Sequence, residues 1–267
     1  MKNTTKKILM PIPNYGYDPT EVAVPWKVIT SKNHTIVFAT PNGKVATADQ
    51  IMLNGKGLYL WKPMLKAQSN SVKIHKDMIE STAFKNPISY EDIHVDDYDG
   101  LILPGGHDKK VKDYLESKIL QNKVIQFFNQ HKTVGAICHG LVVAARSIDS
   151  KTNQSVLYNY NTTALLKMLE LTGYYMTCLW MGDYYLTYPE ITVEDEVKSV
   201  LKSSKQFIKG KLPIFRDSEK NLGAGFHVVD KNCLCRAISK RIPCLKGYFV
   251  LRNKLRVAVL VIAFVIF

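Results

Sequence analysis

Five short apolar runs, none long enough for a buried helix, alternate along this chain with segments of helical periodicity. They are Lys7-Ile-Leu-Met-Pro11, Thr35-Ile-Val-Phe-Ala39, Asp99-Gly-Leu-Ile-Leu-Pro104, Thr133-Val-Gly-Ala-Ile137 and Gly225-Phe-His-Val-Val229. Continuous apolar runs of this length read as strands buried on both faces. Amphipathic segments between them then cover a mostly parallel sheet on both sides, an α/β arrangement.

The helical segments are Thr20–Ser31, capped by Thr20 or Asp18 with Pro25 early on, and 114–131, with Leu115, Ile119, Leu120, Val124, Ile125 and Phe128 in phase. Further ones run from His139 to about Ser147, over Thr163–Leu171 and over Val193–Lys202. The stretch from Pro41 to Asp97 is long and partly regular, with helical patches near Leu58–Lys66 and Val72–Ser81. An insertion of that length between sheet strands commonly serves as a lid or a dimer contact.

Composition sets no further restriction on the fold. With 267 residues, 46% hydrophobic and 22% charged, the chain is long enough to bury a full core. No Pro/Gly/Ser-rich linker and no internal repeat interrupts it, so one domain is expected over 1–232, followed by a tail, 233–267. The net charge of +13 comes from 36 Lys and Arg residues scattered singly or in pairs, without a nucleic-acid motif. That pattern is a solvated basic surface with weak attraction for anions, not a specific nucleic-acid site.

The cysteines, Cys138, Cys178, Cys233, Cys235 and Cys244, are odd in number. Met1 to Lys7 is polar rather than a secretory leader, so free thiols in a reducing cytoplasmic setting are expected. Cys233-x-Cys235 has the wrong spacing for a redox or zinc CxxC pair, so no metal is assigned. The apolar end Val257–Phe267 falls short of the roughly 20 residues of a spanning helix. Arg252, Lys254 and Arg256 interrupt any upstream extension, so no membrane span is expected.

Chemistry concentrates at Gly135-Ala136-Ile137-Cys138-His139-Gly140. A cysteine stands between a buried strand and a helix, with small residues two before and two after. A nucleophile elbow needs that pattern, because its strained turn leaves no room for bulky flanks. Helix amides aimed at the sulfur favour the thiolate. The alternative is a core cysteine that only packs.

Leu103-Pro-Gly-Gly-His107 comes after the preceding strand, where loops at the carboxyl ends of parallel strands meet. There Gly106 N–H and His139 N–H would form an oxyanion hole. Glu21, in the first turn of the helix after the first strand, is either an ordinary helix-start carboxylate or a proton carrier facing Cys138. His139 would reach the site if a carboxylate orients it. Glu170 is the candidate, with a solvated helical glutamate as the alternative reading.

The elbow, the Pro-Gly-Gly loop and Glu21 together resemble the ThiJ/PfpI family of the class I glutamine amidotransferase-like superfamily, over roughly Lys7 to Asn232. The runs Asp18-Pro-Thr-Glu-Val-Ala-Val-Pro-Trp26 and Phe38-Ala-Thr-Pro41 are similar to its larger chaperone and glyoxalase-III-like branch. The resemblance implies a flavodoxin-like sandwich, usually a homodimer, without cofactor. Cys138 matches the nucleophile, His139 the triad histidine and Glu21 the acid beside the thiol; Thr163-Ala-Leu-Leu-Lys-Met-Leu-Glu170 matches the segment of the triad acid.

The function so implied is a cysteine-dependent, cofactor-free enzyme on reactive dicarbonyls or glycated adducts, a glyoxalase or deglycase. A stress chaperone or redox sensor, and an intracellular peptidase or amidase, are the alternatives. No histidine is followed by x-Glu, which disfavours glutamine hydrolysis.

After Asn232 the resemblance stops. One set of codons for Asn232–Lys240, read one base further on, encodes Ile-Val-Cys-Ala-Gly-Arg-Phe-Pro, similar to the family's closing turn. The expectation is a reading frame shifted near Cys233, giving an atypical tail.

Overall fold

The computed structural model describes residues 5–209 and 226–236. A seven-stranded sheet runs through it in the order His227–Asp230, Cys233–Arg236, Thr133–Ile137, Gly100–Leu103, Lys7–Pro11, Thr35–Thr40 and Ile88–Ser89. Neighbouring strands are parallel, with registers such as Ile8 beside Ile36 and Leu101 beside Val134. Only the edge strand His227–Asp230 is antiparallel to its neighbour. The fold is the expected flavodoxin-like sandwich.

Successive side chains of a strand point to opposite faces, and the core divides accordingly. Ile8, Met10, Ile36, Phe38 and Ile102 pack with Val22, Ala23 and Ile29 of the helix Pro19–Thr30 and with Met78 of the helix Ser69–Ile79. On the other face Leu9, Leu101, Leu103, Val134 and Ala136 pack with Leu120, Val124 and Phe127 of the helix Lys118–Asn129. Val142 of Gly140–Ala145 and Val197 of Val193–Ser199 complete that layer. Each large apolar side chain fully buried this way contributes about 1.5–3 kcal/mol.

Local chemistry decides where the helices begin. Asp18, not Thr20, caps the first helix, its carboxylate accepting from Thr20 N–H at 2.8 Å and Glu21 N–H at 3.2 Å. The expected helix 114–131 is two pieces, Lys112–Leu115 and Lys118–Asn129, because the Ser117 hydroxyl accepts from Leu120 N–H at 3.2 Å and starts a new helix. The expected Thr163–Leu171 begins only at Lys167 and runs to Met181. Its apolar start, Ala164-Leu165-Leu166, is buried in the core ahead of the helix. Within the insertion the patches become Tyr59–Trp61 with Lys62–Leu65, and Ser69–Ile79.

The sheet also continues past residue 232. Lys231 takes φ 53° in the turn after His227–Asp230. Cys233–Arg236 then pairs with Thr133–Ile137, Cys235 lying beside Ala136. The rest of the expected tail, 237–267, with its shifted reading frame and apolar end, lies outside the described residues, as does Cys244. Cys138, Cys178, Cys233 and Cys235 are free thiols. Among the described residues no helix is long and apolar enough to cross a membrane.

Candidate active site

Three adjacent strands, Thr133–Ile137, Gly100–Leu103 and Lys7–Pro11, end side by side, and the segments leaving their carboxyl ends meet there. After the first comes Cys138, at φ 51°. Left-handed backbone on a non-glycine residue costs on the order of 1–3 kcal/mol and persists only where its surroundings enforce it. The enforcement is visible: Cys138 N–H donates to Arg236 O at 3.2 Å. A Cβ on Gly140 would lie 2.0 Å from Leu103 O and 2.8 Å from Pro104 O. The elbow is thus wedged against the end of the neighbouring strand, and glycine is the residue that fits.

The Pro104-Gly105-Gly106 turn is equally tight. A Cβ on Gly106 would meet Gly16 O at 2.4 Å, and Asp18 N–H donates to Gly105 O at 3.0 Å. A Cβ on Gly105 would stand 2.7 Å from His139 N and 2.9 Å from Glu21 Oε2, so one small space separates the elbow from the glutamate. Glu21 fills its side of that space, buried to 2% exposure, with Oε2 accepting from Gly105 N–H at 2.7 Å. Its negative charge reaches the buried Tyr114, whose hydroxyl burial, aided by Glu21, holds well above the ordinary phenol range. Glu21 and His139 thus meet on either side of Gly105, the residue before Gly106 in the same turn.

His139 lies beside the sulfur, with Nδ1 3.4 Å from Cys138 Sγ. Its other ring nitrogen, Nε2, is 3.1 Å from Thr187 Oγ1, and the Thr187 hydroxyl reaches His107 O at 3.2 Å. A hydroxyl carries one proton and a carbonyl only accepts, so both contacts are satisfied when Thr187 donates to His107 O and accepts from His139 Nε2–H. The neutral ring then presents the Nδ1 lone pair to the thiol. After taking the thiol proton, the imidazolium has an acceptor at each N–H.

Glu170 does not take part in this arrangement. Oε2 accepts from Val193 N–H at 3.0 Å, so the carboxyl group caps the start of the helix Val193–Ser199. Both ring nitrogens of His139 have other partners. Burial, opposed by the Val193 hydrogen bond and aided by Asp195 and Glu196, pushes the Glu170 carboxyl up to about 7. The carboxyl group expected to be the triad acid thus lies at the start of Val193–Ser199, and the side chain beside His139 Nε2 is Thr187.

His107 and Tyr185 complete the surroundings, and sequence reasoning assigns a role to neither. His107 lies edge-on to His139, ring centroids 4.9 Å apart, and to Tyr185 at 5.3 Å. One donor atom each from His107, Cys138 and His139 lies within 4.8 Å of the other two, the group that could hold a metal ion among the described residues. Tyr185 and Thr187 come from the segment after the helix Lys167–Met181. It is anchored by Tyr184 donating to Asp49 and by an ion pair between Lys109 and Asp183. Nothing in the run Tyr184-Tyr185-Leu186-Thr187-Tyr188 distinguishes that threonine from an ordinary packed residue; for His107, its place in the glycine loop is the one available signal.

A parallel sheet that carries a cysteine on a left-handed elbow, with a histidine nitrogen beside the sulfur and a buried glutamate across the glycine turn, defines a class of cysteine-elbow α/β proteins. A family model described as ThiJ/PfpI family-like matches residues 12–209, and the chain belongs to the ThiJ/PfpI family. Among curated relatives, an uncharacterised protein of Schizosaccharomyces pombe is 26% identical over 168 residues, 59% of this chain and 61% of that one. Two further curated relatives are matched over 52% and 42% of their lengths, so the chain spans about two-fifths to three-fifths of these relatives.

Solved structures share the fold. The Rapid Encystment Protein 24 kDa of Francisella tularensis superposes with a TM-score of 0.63 at 16% identity, covering 89% of this chain and 94% of that one. The glyoxalase III of Candida albicans gives 0.63 at 19% identity, covering 88% and 92%.

Proposed function

We propose that this protein is a cofactor-free enzyme that uses Cys138 as a nucleophile on small reactive dicarbonyls of the methylglyoxal type, or on their early adducts. The observation that carries the reading is the contact between Cys138 Sγ and His139 Nδ1, 3.4 Å, in a cysteine residue only 1% exposed. A nucleophile so enclosed suits a small aldehyde better than a polypeptide chain. That a fold neighbour from Candida albicans is a glyoxalase III is consistent with this choice.

In the reaction, His139 Nδ1 takes the thiol proton as sulfur forms a bond to the aldehyde carbon, giving a hemithioacetal. Glu21, assisted by His139, lifts the proton from that carbon and returns it to the neighbouring one through an enediolate. The amides of Gly106 and His139 hold the oxyanion. The resulting thioester is hydrolysed by water, which frees the thiol and releases a 2-hydroxy acid. The substrate is oxidised at one carbon and reduced at the next, so no external redox partner is required.

A panel of methylglyoxal, a fluorogenic peptide and an aggregating client protein tests the reading. Lactate formation by the wild type and its loss in Cys138→Ala are expected. Unchanged lactate production in Cys138→Ala refutes the mechanism, and Cys138-dependent activity on the peptide or the client alone replaces the substrate class.

A further inference from the structure

We propose that the same pocket is a binding site for a thiophilic divalent cation, Zn²⁺ above all, with Cys138 Sγ, His139 Nδ1 and a ring nitrogen of His107 as its three protein ligands. All three residues are buried and offer donor atoms within 4.8 Å of one another. Zinc sits about 2.3 Å from a thiolate sulfur and about 2.0–2.1 Å from an imidazole nitrogen, so tetrahedral donors stand roughly 3.3–3.6 Å apart. Cys138 Sγ and His139 Nδ1 already stand 3.4 Å apart. His107, edge-on to His139, has to close by roughly 1.5 Å at most, since 4.8 Å bounds the separation.

The surroundings suit a metal as well as the ligands do. A histidine ligand normally has its second nitrogen tied by a hydrogen bond that fixes the tautomer. Thr187 stands in that position, 3.1 Å from His139 Nε2, and is itself oriented by the backbone carbonyl of His107. The ring is thus set with its Nδ1 lone pair toward the sulfur before any cation arrives. One sulfur and two nitrogens favour zinc over calcium or magnesium, which require oxygen.

Charge can be balanced too. Binding forms a sulfur–zinc bond and expels the thiol proton to solvent, leaving one excess positive charge, and the Glu21 carboxyl group, able to lose a proton in turn, lies just across the Gly105 turn. Three protein ligands leave the fourth coordination position for water.

Zinc so bound occupies the sulfur lone pair, and would shut down the proposed reaction reversibly. That inhibition rests on the proposed function; the binding does not.

The test uses the full chain stripped with EDTA, then given one equivalent of Zn²⁺, with iodoacetamide alkylation of each cysteine followed by peptide mass spectrometry. Zinc is expected to slow alkylation of Cys138 about tenfold or more while leaving Cys178 unchanged, with EDTA restoring the rate. A competition titration against a chromophoric chelator should show one equivalent bound. That binding should be lost in Cys138→Ser, weakened about tenfold or more in His107→Asn, and unaltered in Cys178→Ser.

Unchanged Cys138 alkylation in the presence of zinc overturns the site. So does zinc affinity that survives intact in His107→Asn and His107→Leu proteins shown to be folded by circular dichroism. Failure of the enzyme reading would appear separately, as absent methylglyoxal turnover in the stripped, zinc-free protein.

Discussion

The two halves of the site are held in different ways. Cys138, the Gly105-Gly106 turn and Glu21 lie at the ends of adjacent sheet strands, where backbone fixes them: Gly140 against Leu103 O, Gly106 against Gly16 O, Glu21 against Gly105 N–H. Thr187 and Tyr185 arrive on a segment tied down by side chains, through Tyr184 to Asp49 and Asp183 to Lys109. Steric wedging leaves one permitted backbone and tolerates no substitution. Side-chain anchoring tolerates change but loses position by degrees.

The sharpest way to break the comparison is at the wedge. Gly140→Ala places a Cβ 2.0 Å from Leu103 O and 2.6 Å from Leu103 C, both backbone atoms that cannot move aside cheaply. A loss of more than about 4 kcal/mol in folding stability is expected, read as a shift in urea midpoint. A shift below about 1 kcal/mol would mean that the elbow is not wedged.

Glu170 tests the anchored half, because it joins the helix before the Tyr184–Thr187 segment to the helix after it. Burial raises its carboxyl from 4.5 to about 7, so between those values the folded protein binds more protons than the unfolded chain. Its contribution is therefore fully present below pH 4.5 and is lost as pH rises through about 7, with an upper size on the order of 3 kcal/mol. Urea midpoints of wild type and Glu170→Gln, followed from pH 4.5 to 8, should diverge in favour of the variant as pH rises. Parallel curves would remove the assigned burial cost.

The smallest effect is at Thr187, which on the proposed function is a positioning residue acting through His139. Thr187→Val removes the hydroxyl beside Nε2; on the proposed function, a fall of about ten- to hundredfold in kcat for methylglyoxal is expected, with KM little changed. Thr187→Ser, which keeps the hydroxyl, should restore the rate and its pH profile. Equal rates in the valine and serine variants would show that the hydroxyl does not set the ring.

The same contrast explains which features are legible in the sequence. Strands such as Thr35–Thr40 and Thr133–Ile137 announce themselves as apolar runs, and the elbow by its small flanking residues, because local sterics leave few alternatives. Glu21 is legible for the same reason, as a carboxylate in the first turn of the helix after the first strand. Thr187 is not, since its role depends on a side-chain contact 48 residues away in the chain from His139. For Glu170, position along the chain suggests a triad acid, whereas its place in the fold depends on a distant partner, Oε2 accepting from the amide of Val193. Cys233–Arg236 reads as part of an atypical tail, although its alternation buries Cys233 and Cys235 with Val134 and Ala136 in one cluster. There the departure of the sequence from a familiar pattern outweighs the strand signal that is present.

The proposed function turns on whether Cys138 is an activated thiol rather than a packed one. Buried thiols without activation react slowly, and Cys178, half-buried on the helix Lys167–Met181, serves as the internal reference. The direct measurement is the rate of iodoacetamide alkylation of each cysteine in the folded, metal-free protein at neutral pH. Activation predicts that Cys138 is modified well before Cys178 despite its deeper burial; equal rates, or Cys178 first, would contradict it.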